Sequence, residues 1–154
     1  MMKYALDQDH YPIKMITVGA GGRFVHNVLD TKDEPVPDGY GTLLKYWSSK
    51  TSRPIPDKCL ALDPHVNQDS READQYDIVG AHVRIDGENC PDDWAWVVPL
   101  CKHCNNDGRT WSIYLPAGTK LVPVKMQKVH YTATHTMDDI IQQLIVWKVR
   151  GKGK

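Results

Sequence analysis

The sequence predicts a single α+β domain with an N-terminal β-hairpin, a central pair of strands and a C-terminal helix. Three observations favour this fold class. β-Branched segments flank a glycine-rich turn near the N-terminus, and two longer apolar segments, residues 78–85 and 94–100, flank a polar turn. An apolar stripe at helical spacing follows at residues 140–147. We place the domain at residues 1–147 and expect residues 148–154 to form a basic, flexible tail.

The composition is that of an ordinary globular chain. Of the 154 residues, 41% are hydrophobic and 25% are charged, which excludes collagen-like and wholly disordered proteins. No apolar run approaches 18 residues, so no membrane span is expected. The first residues carry acids and lack an apolar stretch, so no signal peptide is expected. We therefore predict a cytoplasmic protein.

The N-terminal half contains the predicted hairpin and one helix. Residues 13–18 and 23–29 are expected to pair across the turn at residues 19–22. A helix is predicted at residues 42–49, with Leu43, Leu44, Tyr46 and Trp47 on its apolar face. The prolines at positions 54 and 56 are expected to keep the chain out of a helix after it.

The C-terminal half continues as strands and ends in a helix. After the central pair, a strand is predicted at residues 110–115, and further extended segments reach residue 131. Thr136 is a suitable helix cap, and Asp138 and Asp139 suit the positive end of the helix dipole. The apolar stripe of this helix is expected to pack on the core. His130 and His135 flank a predicted turn and are expected at the surface.

The zero net charge of the chain hides an asymmetry. Residues 1–100 contain ten Lys and Arg against sixteen Asp and Glu, a net charge of −6, whereas residues 101–154 contain nine against three, a net charge of +6. Basic groups supply most of the non-specific affinity for nucleic acids. The basic C-terminal third could thus contact a polyanion, or it could belong to a mixed surface.

Two of the four cysteines form the pair Cys101-Lys-His-Cys104, directly after an apolar strand. Without a secretory context a disulfide framework is not expected, so metal or redox chemistry is favoured. Two thiolates at this spacing can hold Zn²⁺ when a tight turn points both sulfurs inward. A redox role requires the pair to open a long helix, but the Asn-Asn-Asp-Gly sequence that follows is typical of a loop. We therefore predict a structural zinc site.

The other zinc ligands must come from elsewhere in the chain. Cys59 and His65 lie in a proline-bounded segment at a Cys-x5-His spacing, and they are the predicted partners. Cys90, beside Pro91, is a rival, and a water molecule could complete the site. Cys59 could also be a buried, inert thiol.

The segments around His82 and the cysteine pair resemble a known family. Gly80-Ala-His82-Val, followed by Val97-Val-Pro-Leu-Cys101-x-x-Cys104-Asn105, is similar to the ββα-metal core of HNH endonucleases, in the subset built on a zinc treble clef. The resemblance covers residues 59–110. It implies that His82 is the general base and that Asn105 lies beside a catalytic Mg²⁺ or Mn²⁺. It also implies that Cys59, His65, Cys101 and Cys104 hold zinc.

The chain departs from the family on the second strand. HNH proteins usually have an Asn there that orients the base, and this sequence has Trp94-Ala-Trp96 instead. We therefore carry two hypotheses. The first is a nuclease that hydrolyses nucleic-acid phosphodiester bonds, with DNA favoured over RNA as the expected partner and with Lys102 and Arg109 as nucleic-acid contacts. The second is a non-catalytic zinc module that binds nucleic acid or a protein partner; a small redox protein is a weaker third.

Overall fold

The computed structural model describes residues 11–61, 78–105 and 112–132. In these residues the chain forms six strands and one helix. The elements in chain order are β1 (Ile16–Thr17), β2 (Arg23–Asn27), α1 (Leu43–Thr51), β3 (Ile78–Ile85), β4 (Trp94–Cys101), β5 (Ile113–Leu115) and β6 (Lys120–Lys125).

The strands form one antiparallel sheet in the order β1-β6-β4-β3-β2-β5, curled into a half-barrel. The predicted α+β class is therefore wrong, because the described part of the chain is mainly β-structure with a single short helix. The central pair is as predicted: β3 and β4 pair over six positions, from Ile78 opposite Cys101 to Val83 opposite Trp96. The predicted C-terminal helix lies outside the described residues.

The predicted N-terminal hairpin does not form. The turn is present, with Gly22 N–H donating to the Gly19 carbonyl, but the two strands that it joins do not pair with each other. Instead β1 pairs with β6, whereas β2 lies between β3 and β5. Gly21 and Gly22 both have positive φ values of 90° and 74°, which glycine adopts without strain. The turn therefore sends the chain to the other side of the curled sheet.

The predicted treble-clef ββα-metal core is also wrong. Such a core needs a helix packed against the two strands after the cysteine pair, but the next described element is β5, which pairs with β2. The register of β5 on β2 is fixed at Val25, which pairs with Ile113 on β5 and with Ile85 on β3. Cross-strand packing of these buried β-branched side chains stabilises a third strand there.

Helix α1 confirms the prediction for residues 42–49. Thr42 has extended backbone angles and its hydroxyl accepts a hydrogen bond from the Lys45 N–H at 3.1 Å, which caps the helix. Tyr46 and Trp47 are buried against the sheet. The Tyr46 hydroxyl donates to the Pro123 carbonyl at 2.7 Å, and the Trp47 indole donates to the Lys120 carbonyl at 2.8 Å. The helix is thus fastened to β6 through both aromatic residues.

The two faces of the sheet carry separate apolar clusters, as the alternation of side chains along a strand requires. The first cluster includes Val83, Trp96, Leu100 and the cysteines 59, 101 and 104. The second lies under α1 and includes Val97, Val122 and Trp47. Trp96 is 1% exposed and lies in the first cluster.

A buried hydrogen bond joins His130 to Glu34. His130 Nε2 lies 2.6 Å from Glu34 Oε2, and the Glu34 carboxylate also accepts the backbone N–H groups of Gln127 and Lys128. Burial raises the pKa of Glu34, but the hydrogen bonds from His130 and the two amides lower it by more, so the net shift is downward. His130 is therefore a buried structural residue, and its predicted surface location is wrong.

Within the described ranges, none of the helical structure combines the length and the apolar character that crossing a bilayer requires.

Candidate metal centre

The end of β4 positions two of the three cysteines that meet in this structure. Cys101 is the last residue of β4, and the tight turn that follows places Cys104 beside it. The Asn105 N–H donates to the Cys101 carbonyl at 2.9 Å, and the Cys104 N–H points at the Cys101 sulfur at 3.4 Å. An amide directed at a sulfur stabilises negative charge on it, so the turn is suited to a thiolate.

The third cysteine comes from the segment after α1. The Leu60 N–H donates to the Pro99 carbonyl at 3.3 Å, so this segment runs along the end of β4. The contact brings Cys59 Sγ to 3.8 Å from Cys104 Sγ. The sulfurs of Cys59, Cys101 and Cys104 all lie within 4.8 Å of one another, and all three residues are buried.

These distances suit a tetrahedral metal ion. With zinc–sulfur bonds of about 2.3 Å, the sulfurs of a tetrahedral site are separated by about 3.8 Å. The Cys59–Cys104 separation of 3.8 Å matches this value. Three sulfurs leave one coordination position for a fourth ligand. The cluster can therefore hold Zn²⁺ with little rearrangement.

The three thiols also affect one another's pKa values. Side-chain hydrogen bonds with Cys101 and Cys104 lower the pKa of Cys59, whereas hydrogen bonds with Cys101 and Cys59 raise the pKa of Cys104. The neighbouring thiols therefore favour the thiolate form of Cys59. This is the form that metal binding requires, since a metal binds deprotonated sulfur.

Two predicted site residues, His65 and Arg109, lie outside the described residues. The rival ligand Cys90 is described, and it lies far from the cluster. It is in the turn after β3, whereas Cys101 is at the other end of β4; seven residues of strand separate the two ends by about 23 Å. The Cys90 thiol is directed at the Trp94 carbonyl, 3.2 Å away. Cys90 is therefore not a ligand of this cluster.

His82 lies on β3 opposite Val97, on the face covered by α1. Four residues of β4 separate Val97 from Cys101, a distance of about 13 Å, so the structure does not bring His82 to the cysteines. Its side chain is buried, and burial lowers the pKa of His82 to about 4, although the charge of Glu34 acts in the opposite direction. The role of His82 as a general base stays a prediction.

The exposed tip of the cysteine turn carries the remaining predicted residues. Lys102 and His103 are exposed between the two cysteines, and Asn105 is half-buried directly after them. This arrangement places the Lys102 side chain on the exposed turn between two of the clustered cysteines. The roles of Lys102 in nucleic-acid binding and of Asn105 beside a catalytic ion stay predictions.

One supporting residue was not found from the sequence. Asn27, buried at the end of β2, donates its side-chain amide to the Cys104 carbonyl at 2.8 Å. It thereby ties the cysteine turn to a strand 77 positions earlier in the chain. The sequence has no local pattern that links these residues, since only the pairing of β2 with β3 brings them together.

Comparisons of this chain with protein-family models, with curated proteins and with solved structures find no match. The resemblance to HNH endonucleases therefore stays a prediction.

Proposed function

We propose that the protein is a non-catalytic zinc-binding module, in which Cys59, Cys101 and Cys104 hold a structural Zn²⁺. One observation carries the proposal: three buried thiols from two distant segments converge within 4.8 Å. Buried cysteines in apolar cores need not converge in this way. The zinc ion joins the segment after α1 to the end of β4.

The site would present its own binding surface. Lys102 and His103 are exposed on the turn between two of the ligands, so zinc would fix the position of a cationic tip. A polyanion such as a nucleic acid is the partner that suits this tip, because phosphates bind basic side chains such as that of Lys102. A protein partner is the alternative, and the salt dependence of binding would distinguish the two.

The first experiment measures zinc content on protein purified without added metal or chelator. We expect close to one zinc ion per chain in the wild type and in Cys90→Ser, which is the matched control. Cys59→Ser should lose most of the zinc, because only two thiolates remain. A cobalt-substituted sample should show thiolate-to-cobalt absorption in the wild type. A metal-free protein with four freely titratable thiols would contradict the proposal.

The proposal does not include phosphodiester hydrolysis. A general base works best when its pKa lies near the working pH, whereas burial lowers the pKa of His82 to about 4. A plasmid-nicking assay with Mg²⁺ or Mn²⁺ tests whether the protein hydrolyses phosphodiester bonds. Cleavage by the wild type that His82→Ala abolishes would favour the nuclease hypothesis over the non-catalytic module.

A further inference from the structure

We propose that Ser112, His26 and Asp86 form a nucleophilic site that transfers acyl groups from carboxylic esters with an aromatic substituent. This site shares no residue with the cysteine cluster, so it is independent of the proposed zinc function. It lies at the other end of β3, where β2 and β5 run side by side.

The three side chains are hydrogen-bonded in a line. Asp86 Oδ1 lies 2.6 Å from His26 Nδ1, and Ser112 Oγ lies 3.3 Å from His26 Nε2. A carboxylate accepts only, so Nδ1 must carry the proton that it donates to Asp86. In the neutral ring Nε2 is then the acceptor and faces the Ser112 hydroxyl. This is the tautomer and order of groups that activate a serine nucleophile.

The scaffold holds His26 on β2, between Ser112 directly before β5 and Asp86 directly after β3. The Val25–Ile113 pair places His26 opposite Ser112 in the β2–β5 ladder, and the β2–β3 ladder pairs His26 with Arg84. Asp86 follows β3, and its N–H donates to the Phe24 carbonyl at 3.0 Å. Sites on strands are held more firmly than sites on free loops.

The three side chains differ in their exposure to solvent. The side chain of His26 is 3% exposed, whereas that of Asp86 is 44% exposed and Ser112 is half-buried. The His26 ring is therefore held inside the fold, and the Ser112 hydroxyl that must meet a substrate is partly accessible.

An aromatic pair beside Ser112 indicates the substrate class. Phe24 and Tyr114 form the next cross-strand pair on the same face, with ring centroids 5.3 Å apart in an edge-to-face arrangement. Phe24 is 47% exposed, so its ring is available to a ligand. An aromatic group of the ester would pack on Phe24 while its carbonyl carbon meets Ser112.

The proposed reaction passes through an acyl-serine. Ser112 Oγ forms a bond to the carbonyl carbon, and its proton moves to His26 Nε2. The bond between that carbon and the leaving oxygen then breaks, and His26 returns the proton to the departing alcohol. Water, deprotonated by His26, hydrolyses the acyl-serine and regenerates the hydroxyl.

The test uses a fluorophosphonate with a phenyl group, which phosphonylates an activated serine as fluoride leaves. We expect one adduct on the folded full chain, mapped to Ser112 by peptide mass spectrometry. Ser112→Ala should carry none. His26→Gln should label about 100-fold more slowly, the usual contribution of a positioned base. Ser49→Ala, which removes an exposed serine on α1, is the matched control and should label at the wild-type rate.

Asp86→Asn is a second variant that should fold normally, because the Asp86 side chain is partly exposed and asparagine has the same size. It should retain the wild-type circular dichroism spectrum and still label at least about tenfold more slowly, since the tautomer of His26 is no longer fixed. A wild type that is not labelled at Ser112 would overturn the proposal. Labelling of Asp86→Asn and His26→Gln at the wild-type rate would also overturn it, because the three groups would then be only a structural hydrogen-bond chain.

Discussion

At the scale of single residues, the buried histidines of the sheet differ in their charged partners. His130 Nε2 lies 2.6 Å from Glu34, and His26 Nδ1 lies 2.6 Å from Asp86. His82 is also buried, but burial dominates its environment and lowers its pKa from 6.5 to about 4. Glu34 and His130 affect this pKa in opposite directions. The folded protein therefore disfavours the charged form of His82.

The lowered pKa of His82 predicts that the protein loses stability on mild acidification. The unfolded chain binds a proton at His82 below about pH 6.5, whereas the folded chain resists it down to about pH 4, so stability present above pH 6.5 falls as the pH drops. Between pH 7 and pH 5 we expect the exclusion of a proton from folded His82 to lower the free energy of unfolding by about 2 kcal/mol. Urea unfolding at a series of pH values measures it.

The control for this experiment is another histidine variant. His82→Gln should flatten the pH dependence above pH 5, whereas His103→Gln, which changes an exposed side chain, should leave it unchanged. Glu34 has a lowered pKa, so its stabilising effect is lost only below its ordinary value of 4.5. Equal slopes in the wild type and His82→Gln would show that burial of His82 is not the cause.

At the scale of elements, α1 packs on the sheet through a close approach to β3. Gly80 lies under the start of the helix, where an added Cβ would overlap Leu43 Cβ and come within 3.1 Å of the Leu44 nitrogen. The helix backbone cannot move away without disturbing Tyr46 and Trp47, whose hydrogen bonds fasten it to β6. A larger residue at position 80 must therefore displace the helix.

Gly80→Ala is expected to destabilise the protein by about 1–3 kcal/mol, the usual cost of overpacking. Thermal or urea unfolding measures the change. Gly19→Ala is the matched control, because nothing lies within 4 Å of a Cβ there, and it should have a small effect. A Gly80→Ala protein as stable as the Gly19→Ala protein would contradict this packing of α1.

At the scale of the whole molecule, the cysteine cluster joins segments that are distant in the chain. Cys59 follows α1, whereas Cys101 and Cys104 close β4, and Asn27 ties their turn to β2. A metal ion that binds only the folded cluster would stabilise the entire fold by mass action.

Chelation should therefore lower the melting temperature. For zinc at 1,000 times its dissociation constant the stabilisation is about 4 kcal/mol, which corresponds to a shift of at least about 8 °C for a chain of this size. Calorimetry with and without a strong chelator measures it. Cys90→Ser should show the same shift as the wild type, and Cys59→Ser should show none. A chelator without effect on the wild type would indicate that no metal stabilises the fold.

Local sequence was sufficient for several elements and for part of the site. The capped helix, the long β3–β4 pair and the Cys-x-x-Cys turn each depend on residues that are close in the chain, and the structure confirms these elements. Cys59 was also proposed as a ligand from the sequence. The convergence of its sulfur on the pair, the contact of Asn27 with the turn and the Ser112–His26–Asp86 line depend on strand pairing, which no local pattern encodes.

The sequence by itself determined where strands and the helix form, because side-chain periodicity and capping act within a few residues. The tertiary structure decided which strands pair. It separated β1 from β2 across the sheet, placed β5 beside β2 and thereby replaced the expected treble clef with a curled antiparallel sheet. The physical reason is that a strand edge can accept any partner whose buried side chains match its register, and the partner with the best packing can lie anywhere in the chain.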